Sequence, residues 1–234
     1  MAILLVPGFM ADETLWRDLL PRLERFGPIV HADLRHDGSI EAMARRALEA
    51  APERFLLVGF SMGGYVAREI ARRAPERVRA LVLIATSTRP DTPTLQQRKG
   101  AIGKAAPSIA FSGLSRTAVA TSLHPKERGN EALIERVRAM GTRLGGEVFR
   151  RQSMLERPGD LQRLNEIRCP TLIVAASHDQ LRSLDEAREM QAGIPGAELA
   201  VIEDSGHMIP IEAPDRLADL IVPWLERVSR PSMA

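Results

Sequence analysis

A single cysteine, Cys169, occurs among 234 residues, so no disulfide can form within the chain. That excludes a small disulfide-stapled scaffold and fits a reducing compartment. Cys169 lies in "RCPTLIVAA", at the mouth of a strand, where burial is its expected role. Aromatic residues make up only 4% of the chain, so any core must be aliphatic. Long apolar runs are missing too, since none approaches the roughly 20 residues that span a bilayer. The N-terminus, "MAILLVPGFM", has a short apolar stretch before Pro7 with neither a basic lead nor a cleavage-like site. It reads as a strand and not as a signal peptide, which makes the cytoplasm the expected location. There are no Cys/His clusters with metal-ligand spacing, no phosphate loop and no dinucleotide fingerprint, so no cofactor and no metal is implied. Internal repeats and low-complexity tracts are absent as well.

Net charge is close to nil: 32 Lys and Arg stand against 30 Asp and Glu, or +2. Nothing in that balance calls for nucleic acid or a membrane as partner. The distribution is less even. Between Thr88 and Asn165 there are 14 Lys and Arg against 7 Asp and Glu, leaving the remainder mildly acidic. Solvated helix faces are the plain explanation; steering of an anionic substrate, or of one carried on an acidic protein, is the other.

What the chain does have is alternation. Short runs of nearly continuous apolar character occur at 3–6, 28–33, 55–60, 78–85, 171–176 and 197–203. Such runs mark strands buried on both faces. Helical patterns lie between them: "ETLWRDLLPRLERF", "SIEAMARRALEAA", "YVAREIARRAP" and "LDEAREMQAGI". Strand and helix in turn imply an α/β fold, a doubly wound, mostly parallel sheet of about six strands. From about Ser87 to Arg168 the strand rhythm stops. "TLQQRKGAIGKAA", "SRTAVATSLH" and "ERGNEALIERVRAMGTRL" read as helices there. The expected organisation is a core of residues 1–87 and 168–234 with a helical cap inserted at 88–167.

One short stretch carries chemistry. In "FLLVGFSMGGYVAREIARRAP", Ser61 stands between a buried strand and a helix within G-x-S-x-G, the pattern of a nucleophile elbow. Side chains at positions 59 and 63 would collide in so sharp a turn, and the following helix aims its N-terminus at the same spot. A serine hydroxyl needs a base, and the base needs a third group to hold it. Of five histidines, His31 sits in a strand run, His36 in the loop after it, His124 at the end of a cap helix and His178 just before an aspartate. His207, in "EDSGHMIPIEAP", follows the last strand in a glycine-bearing loop, the place for a proton shuttle. For the acid, Asp179 ends the penultimate strand and opens on the same sheet edge. Asp204 is better suited to organising its loop, Asp160 lies at the end of the cap, and Asp185 reads as a helix cap.

With "LLVPGFM", "GFSMGG", "PTLIVAASHDQL" and "SGHMIPIEAP" in this order, the chain resembles the α/β-hydrolase superfamily from end to end, in particular its small bacterial esterase-like members. The resemblance implies Ser61 as nucleophile, Asp179 as orienting acid and His207 as base, with the main-chain N–H groups of Phe9 and Met62 as the oxyanion hole. Met10, Trp16, His36 and Met208 are candidate pocket residues, Trp16 being equally suited to the core. Three features depart from the family pattern. "PG" (Pro7, Gly8) replaces the usual "HG", the N-terminal antiparallel hairpin is missing, and "DLRHDGS" at 33–39 replaces a familiar loop. The implied activity is that of a serine carboxylesterase acting on a small to medium ester through an acyl-enzyme, as a monomer or homodimer. The alternatives are a cofactor-free perhydrolase of the haloperoxidase-like kind, a carbon–carbon hydrolase, and a non-catalytic receptor or interaction module on the same fold.

Overall fold

A computed structural model describes residues 1–92, 94, 96, 97, 111–157 and 159–229. Most of the helix expected over "TLQQRKGAIGKAA" lies outside them. Six strands form one sheet: β1 (Ala2–Val6), β2 (Ile29–His31), β3 (Phe55–Phe60), β4 (Val78–Ile84), β5 (Thr171–Ala176) and β6 (Glu198–Ile202). Every neighbouring pair is parallel, in the order β2-β1-β3-β4-β5-β6.

Parallel strands need crossovers, and these cover both faces. α1 (Leu20–Leu23) follows β1, α2 (Ile40–Ala50) precedes β3, and α3 (Met62–Arg73) follows it. α4 (Arg116–Ser122) and α5 (Glu131–Ser153) lie between β4 and β5. α6 (Leu184–Gly193) joins β5 to β6, and α7 (Ile209–Glu212) and α8 (Pro214–Ser229) end the fold. Successive side chains along β1 and β3 point to opposite layers. Ile3, Leu5, Leu56 and Val58 pack with Trp16 and the apolar side of α8, while Leu4, Val6 and Leu57 pack against α2, α3 and α6.

Three helix expectations need correction. "ETLWRDLLPRLERF" is not one helix but a 3-10 turn (Glu13–Trp16), the single turn α1 and a second 3-10 turn (Glu24–Phe26). Pro21 lacks an N–H and fits only the first turn of a helix, so α1 starts beside it. α5 does not stop at Leu144. It runs on to Ser153 across a kink at Gly145, whose φ of 82° only glycine takes easily. α6 is capped by Ser183, not Asp185: the Ser183 hydroxyl accepts from Glu186 N, and the Glu186 carboxylate accepts from Ser183 N, a capping box.

The sheet puts the carboxyl ends of β1, β3, β5 and β6 along one edge. Because β1 lies between β2 and β3, the chain departs in opposite directions from β1, leaving a crevice at that edge.

Candidate active site

Ser61 follows the last residue of β3 and is the residue before α3. Its φ of 51° lies in the left-handed region that a residue with a Cβ rarely takes. The surroundings hold it there. Ser61 N donates to Ile84 O at 2.9 Å, and Ser61 O accepts from Thr86 Oγ1 at 2.7 Å and from Gly64 N at 3.0 Å. Close approach explains the flanking glycines. A Cβ at Gly63 would sit 2.3 Å from Val6 O, and one at Gly59 would sit 2.7 Å from Gly63 O. The elbow therefore packs directly onto the end of β1.

His207 comes from the loop between β6 and α7, and Asp179 from the loop after β5. His207 Nε2 lies 2.9 Å from Ser61 Oγ, and His207 Nδ1 lies 2.8 Å from Asp179 Oδ2. The carboxylate accepts only, so Nδ1 carries the proton and Nε2 presents its lone pair to the serine hydroxyl. The Asp179 side chain is 1% exposed, and its other oxygen accepts from Leu181 N at 2.7 Å and Arg182 N at 2.9 Å. Those bonds fix the carboxylate before it meets the imidazole. Phe60 closes the ring in from the side, with centroids 5.2 Å apart.

Met62 N is the first amide of α3, and Phe9 follows Gly8, where an added Cβ would lie 3.3 Å from Ser61 Cβ. Neither N–H has an acceptor among the described residues, and both belong to residues lining the crevice beside Ser61. The turn that presents Phe9 is anchored through Met10, whose φ is 51° and whose N–H donates to Gln152 Oε1 at 2.8 Å. Gln152 in turn donates to Leu34 O at 3.2 Å. A glutamine from α5 thus braces the loop that follows Pro7 and Gly8.

The crevice opens into a cavity of about 780 Å³. Its walls are largely apolar, with Phe9, Phe60 and Met62 below and residues of α4 and α5, among them Val119, Met140 and Phe149, above. Met10 and Met208 line it as well. Two candidates do not. Trp16 is fully buried behind Phe60, with centroids 6.5 Å apart, because its large ring fills the core under the pocket floor. His36 is exposed on the surface and turned to the Asp33 carboxylate at 3.1 Å.

Asp160 is also elsewhere. Its carboxylate is enclosed by Arg68, at 2.8 and 2.9 Å, and Arg72, at 3.0 Å, and these cations hold its pKa below the ordinary carboxylate range against the opposing effect of burial. Asp204 ties its loop to Ser177 Oγ through its main-chain N–H at 3.1 Å, while its exposed carboxylate faces Lys126 Nζ at 3.7 Å and His124 Nε2 at 3.9 Å. His124 does not close α4, which ends at Ser122; it caps the 3-10 turn that follows. Among the described residues, His124, His178 and Asp204 bring ligand-type atoms within 4.8 Å of one another. His124 Nδ1 accepts from Lys126 N at 3.1 Å, so in the neutral ring the proton sits on Nε2, the nitrogen facing Asp204. That leaves no lone pair for a cation.

Glu212 was not singled out by its sequence pattern. Its Oε2 accepts from His124 N at 2.6 Å and Gly206 N at 3.3 Å, and its Oε1 from Met208 N at 3.0 Å. It thus grips both neighbours of His207 and ties them to the segment after α4. His207 N itself donates to Ser122 O at 2.8 Å.

With this geometry in view, the comparison with known sequences is decisive for the family. The model of the alpha/beta hydrolase family matches residues 3–220. The chain belongs to that family. A pimeloyl-[acyl-carrier protein] methyl ester esterase of Klebsiella pneumoniae (strain 342) is 37% identical over 93 residues, covering 36% of this chain and 36% of that one. That match thus spans only about a third of the relative's length. A pyrrolizixenacetamide deacetylase of Xenorhabdus hominickii is 26% identical over 243 residues, covering 95% of this chain and 90% of that one. Among solved structures, a thermophilic esterase from Thermogutta terrifontis superposes with a TM-score of 0.85 at 27% identity, covering 98% of this chain and 91% of that one. Among the described residues, no helix is long and apolar enough to cross a membrane.

Proposed function

We propose that this alpha/beta hydrolase is a serine esterase that cleaves a carboxylic ester of small to medium size through an acyl-enzyme. The observation that carries the reading is the continuous hydrogen-bonded line from Ser61 Oγ through His207 to Asp179, at 2.9 and 2.8 Å, at the floor of a large apolar cavity. In the first step Ser61 Oγ bonds to the ester carbonyl carbon and its proton passes to His207 Nε2. The carbonyl electron pair moves onto oxygen, where the Phe9 and Met62 N–H groups receive the charge. Collapse of this intermediate breaks the bond to the alcohol oxygen, which takes the proton from His207. Water then repeats the sequence on the acyl-enzyme and releases the carboxylic acid and free Ser61. Asp179 stays ionised throughout and steadies the imidazolium. Loss of one oxyanion donor costs on the order of 10²–10³ in rate in such sites.

Relatives named as esterases support this reading, as does the apolar wall supplied by α4 and α5, which suits an aliphatic acyl or alcohol group. A reducing, cytoplasmic setting belongs to the proposal and rests on Cys169, a buried free thiol. So does an acidic carrier or anionic substrate steered by the basic stretch between Thr88 and Asn165. The test is a fluorophosphonate probe followed by a panel of esters graded in acyl length, with lactones, thioesters and a peracid assay. Labelling that depends on Ser61 and turnover of at least one ester are expected. Folded protein that takes no label and turns over no ester would refute the esterase reading, and peracid formation in excess of hydrolysis would replace it by perhydrolysis.

A further inference from the structure

Two arginines line the largely apolar cavity: Arg157, at the end of the segment after α5, and Arg182, three residues beyond the triad acid. Their side chains are only 12% and 25% exposed. Each has a carboxylate at the limit of an ion pair, Asp91 at 3.9 Å from Arg157 and Glu186 at 4.0 Å from Arg182. Neither distance is that of a hydrogen bond. Arg182 also donates from Nη1 to Leu181 O at 3.1 Å. The Nε–H of both arginines is buried and has no acceptor among the described residues. Burial, and then the charge of Arg182, push the pKa of Arg157 down from its ordinary value.

Two mostly buried guanidinium groups on one cavity, neither within hydrogen-bond reach of its carboxylate, are costly to hold in a fold. The cost is recovered when an anion enters. A planar anion with two oxygens matches the donor fork of arginine. Asp91 and Glu186 already offset much of the positive charge, which suits a single negative charge better than a doubly charged phosphate.

We propose that Arg157 and Arg182 form a subsite for a carboxylate on the substrate, so that the preferred ester carries a free carboxylate at the far end of an aliphatic chain. The inference rests on the esterase reading above and narrows it to half-esters of dicarboxylic acids and related acid-tailed esters. The apolar residues of the cavity wall take the methylene chain. The scissile carbonyl lies at Ser61, and the anionic tail pairs with the two guanidinium groups.

Mono-p-nitrophenyl esters of glutarate, adipate and pimelate test this against p-nitrophenyl alkanoates of matching length. The ratio of kcat/KM, acid-tailed over methyl-tailed, is the quantity to compare, since each protein then serves as its own control. At one chain length the ratio should exceed about tenfold, and Arg182→Gln and Arg157→Gln should each lower it by about tenfold, as expected for loss of a charge-assisted pair. Arg157→Lys keeps the charge but loses the fork, and it should also lower the ratio should Arg157→Gln not fold. A ratio at or below one at every length overturns the carboxylate subsite while leaving the esterase intact. A high ratio unmoved by Arg182→Gln or Arg157→Lys overturns the assignment to these residues. Failure of both ester series, with no labelling of Ser61, overturns the esterase reading itself.

Discussion

Glu212 offers the sharpest perturbation away from the reacting atoms. Its carboxylate receives three main-chain N–H groups, from His124, Gly206 and Met208, and all three residues are buried. Glu212→Ala leaves those donors without an acceptor, at about 1–3 kcal/mol each if none is re-solvated. The removed side chain was itself a poorly solvated carboxylate, whose pKa burial raises against the pull of its three hydrogen bonds. That recovered penalty, and water entering the gap, bring the expected loss to about 3 kcal/mol. The catalytic consequence is larger. Gly206 and Met208 flank His207, and a displacement of the imidazole by about 1 Å costs on the order of 10²-fold in rate.

Equilibrium unfolding in guanidinium chloride measures the first effect, and single-turnover acylation by p-nitrophenyl acetate measures the second, with the folded fraction known from unfolding. Glu212→Gln keeps one acceptor oxygen but turns an amide N–H₂ toward at least one main-chain donor, so it should lie between the parent and the alanine variant. It also removes a pH dependence. A carboxylate whose folded pKa is raised stabilises the fold fully below its ordinary value of 4.5, and that contribution fades as pH rises through the folded pKa. The parent should therefore lose an increment of stability over that interval which Glu212→Gln does not lose. An alanine variant as stable as the parent, or acylating within twofold of it, refutes the clamp.

Asp179→Asn should leave the fold intact and lower turnover by up to about 10⁴, because an amide can hold the wrong imidazole tautomer; a loss below tenfold in kcat contradicts the role given to Asp179. Burial pushes the Cys169 thiol up to about 11, so iodoacetamide should leave native protein unmodified at mildly alkaline pH and label it promptly once unfolded. Its contribution to stability is complete below 9.0 and is lost as pH rises toward about 11, which a pH series of unfolding curves would show as a late alkaline decline. If the basic stretch between β4 and β5 steers anionic substrates, kcat/KM for them should fall with added salt while neutral esters respond little; equal responses make that charge a matter of solubility.

The fold was legible because its strands are buried on both sides. Continuous apolar runs placed β3 and β5 at their observed ends, and an elbow between strand and helix can be read from glycines that permit close approach. Ser61, Asp179 and His207 were legible for a related reason: each lies just beyond a strand, so strand order alone brings them to one edge. Residues that act through distant partners were not legible. Gln152 lies 142 positions from the Met10 amide it holds, and Glu212 grips a main-chain amide 88 positions away. Neither pairing leaves a local pattern. Arg157 and Arg182 carry no local sequence signal, and only their shared cavity and unpaired Nε–H groups set them apart. Trp16 and His36 show the reverse: residue types often found in pockets, drawn instead into the core and toward a surface carboxylate. The helix expected at 13–26 was broken by Pro21, where backbone chemistry overrode the apolar spacing.

The central claim is that Ser61 forms an acyl-enzyme with His207 as its base. Rapid-quench mass spectrometry of the parent mixed with a slowly deacylating p-nitrophenyl ester tests it most directly. The expected result is an acyl adduct on the peptide containing Ser61, formed at the rate of p-nitrophenolate release and absent from Ser61→Ala. Turnover that survives Ser61→Ala undiminished, or an adduct on another residue formed at the rate of release, would contradict the account.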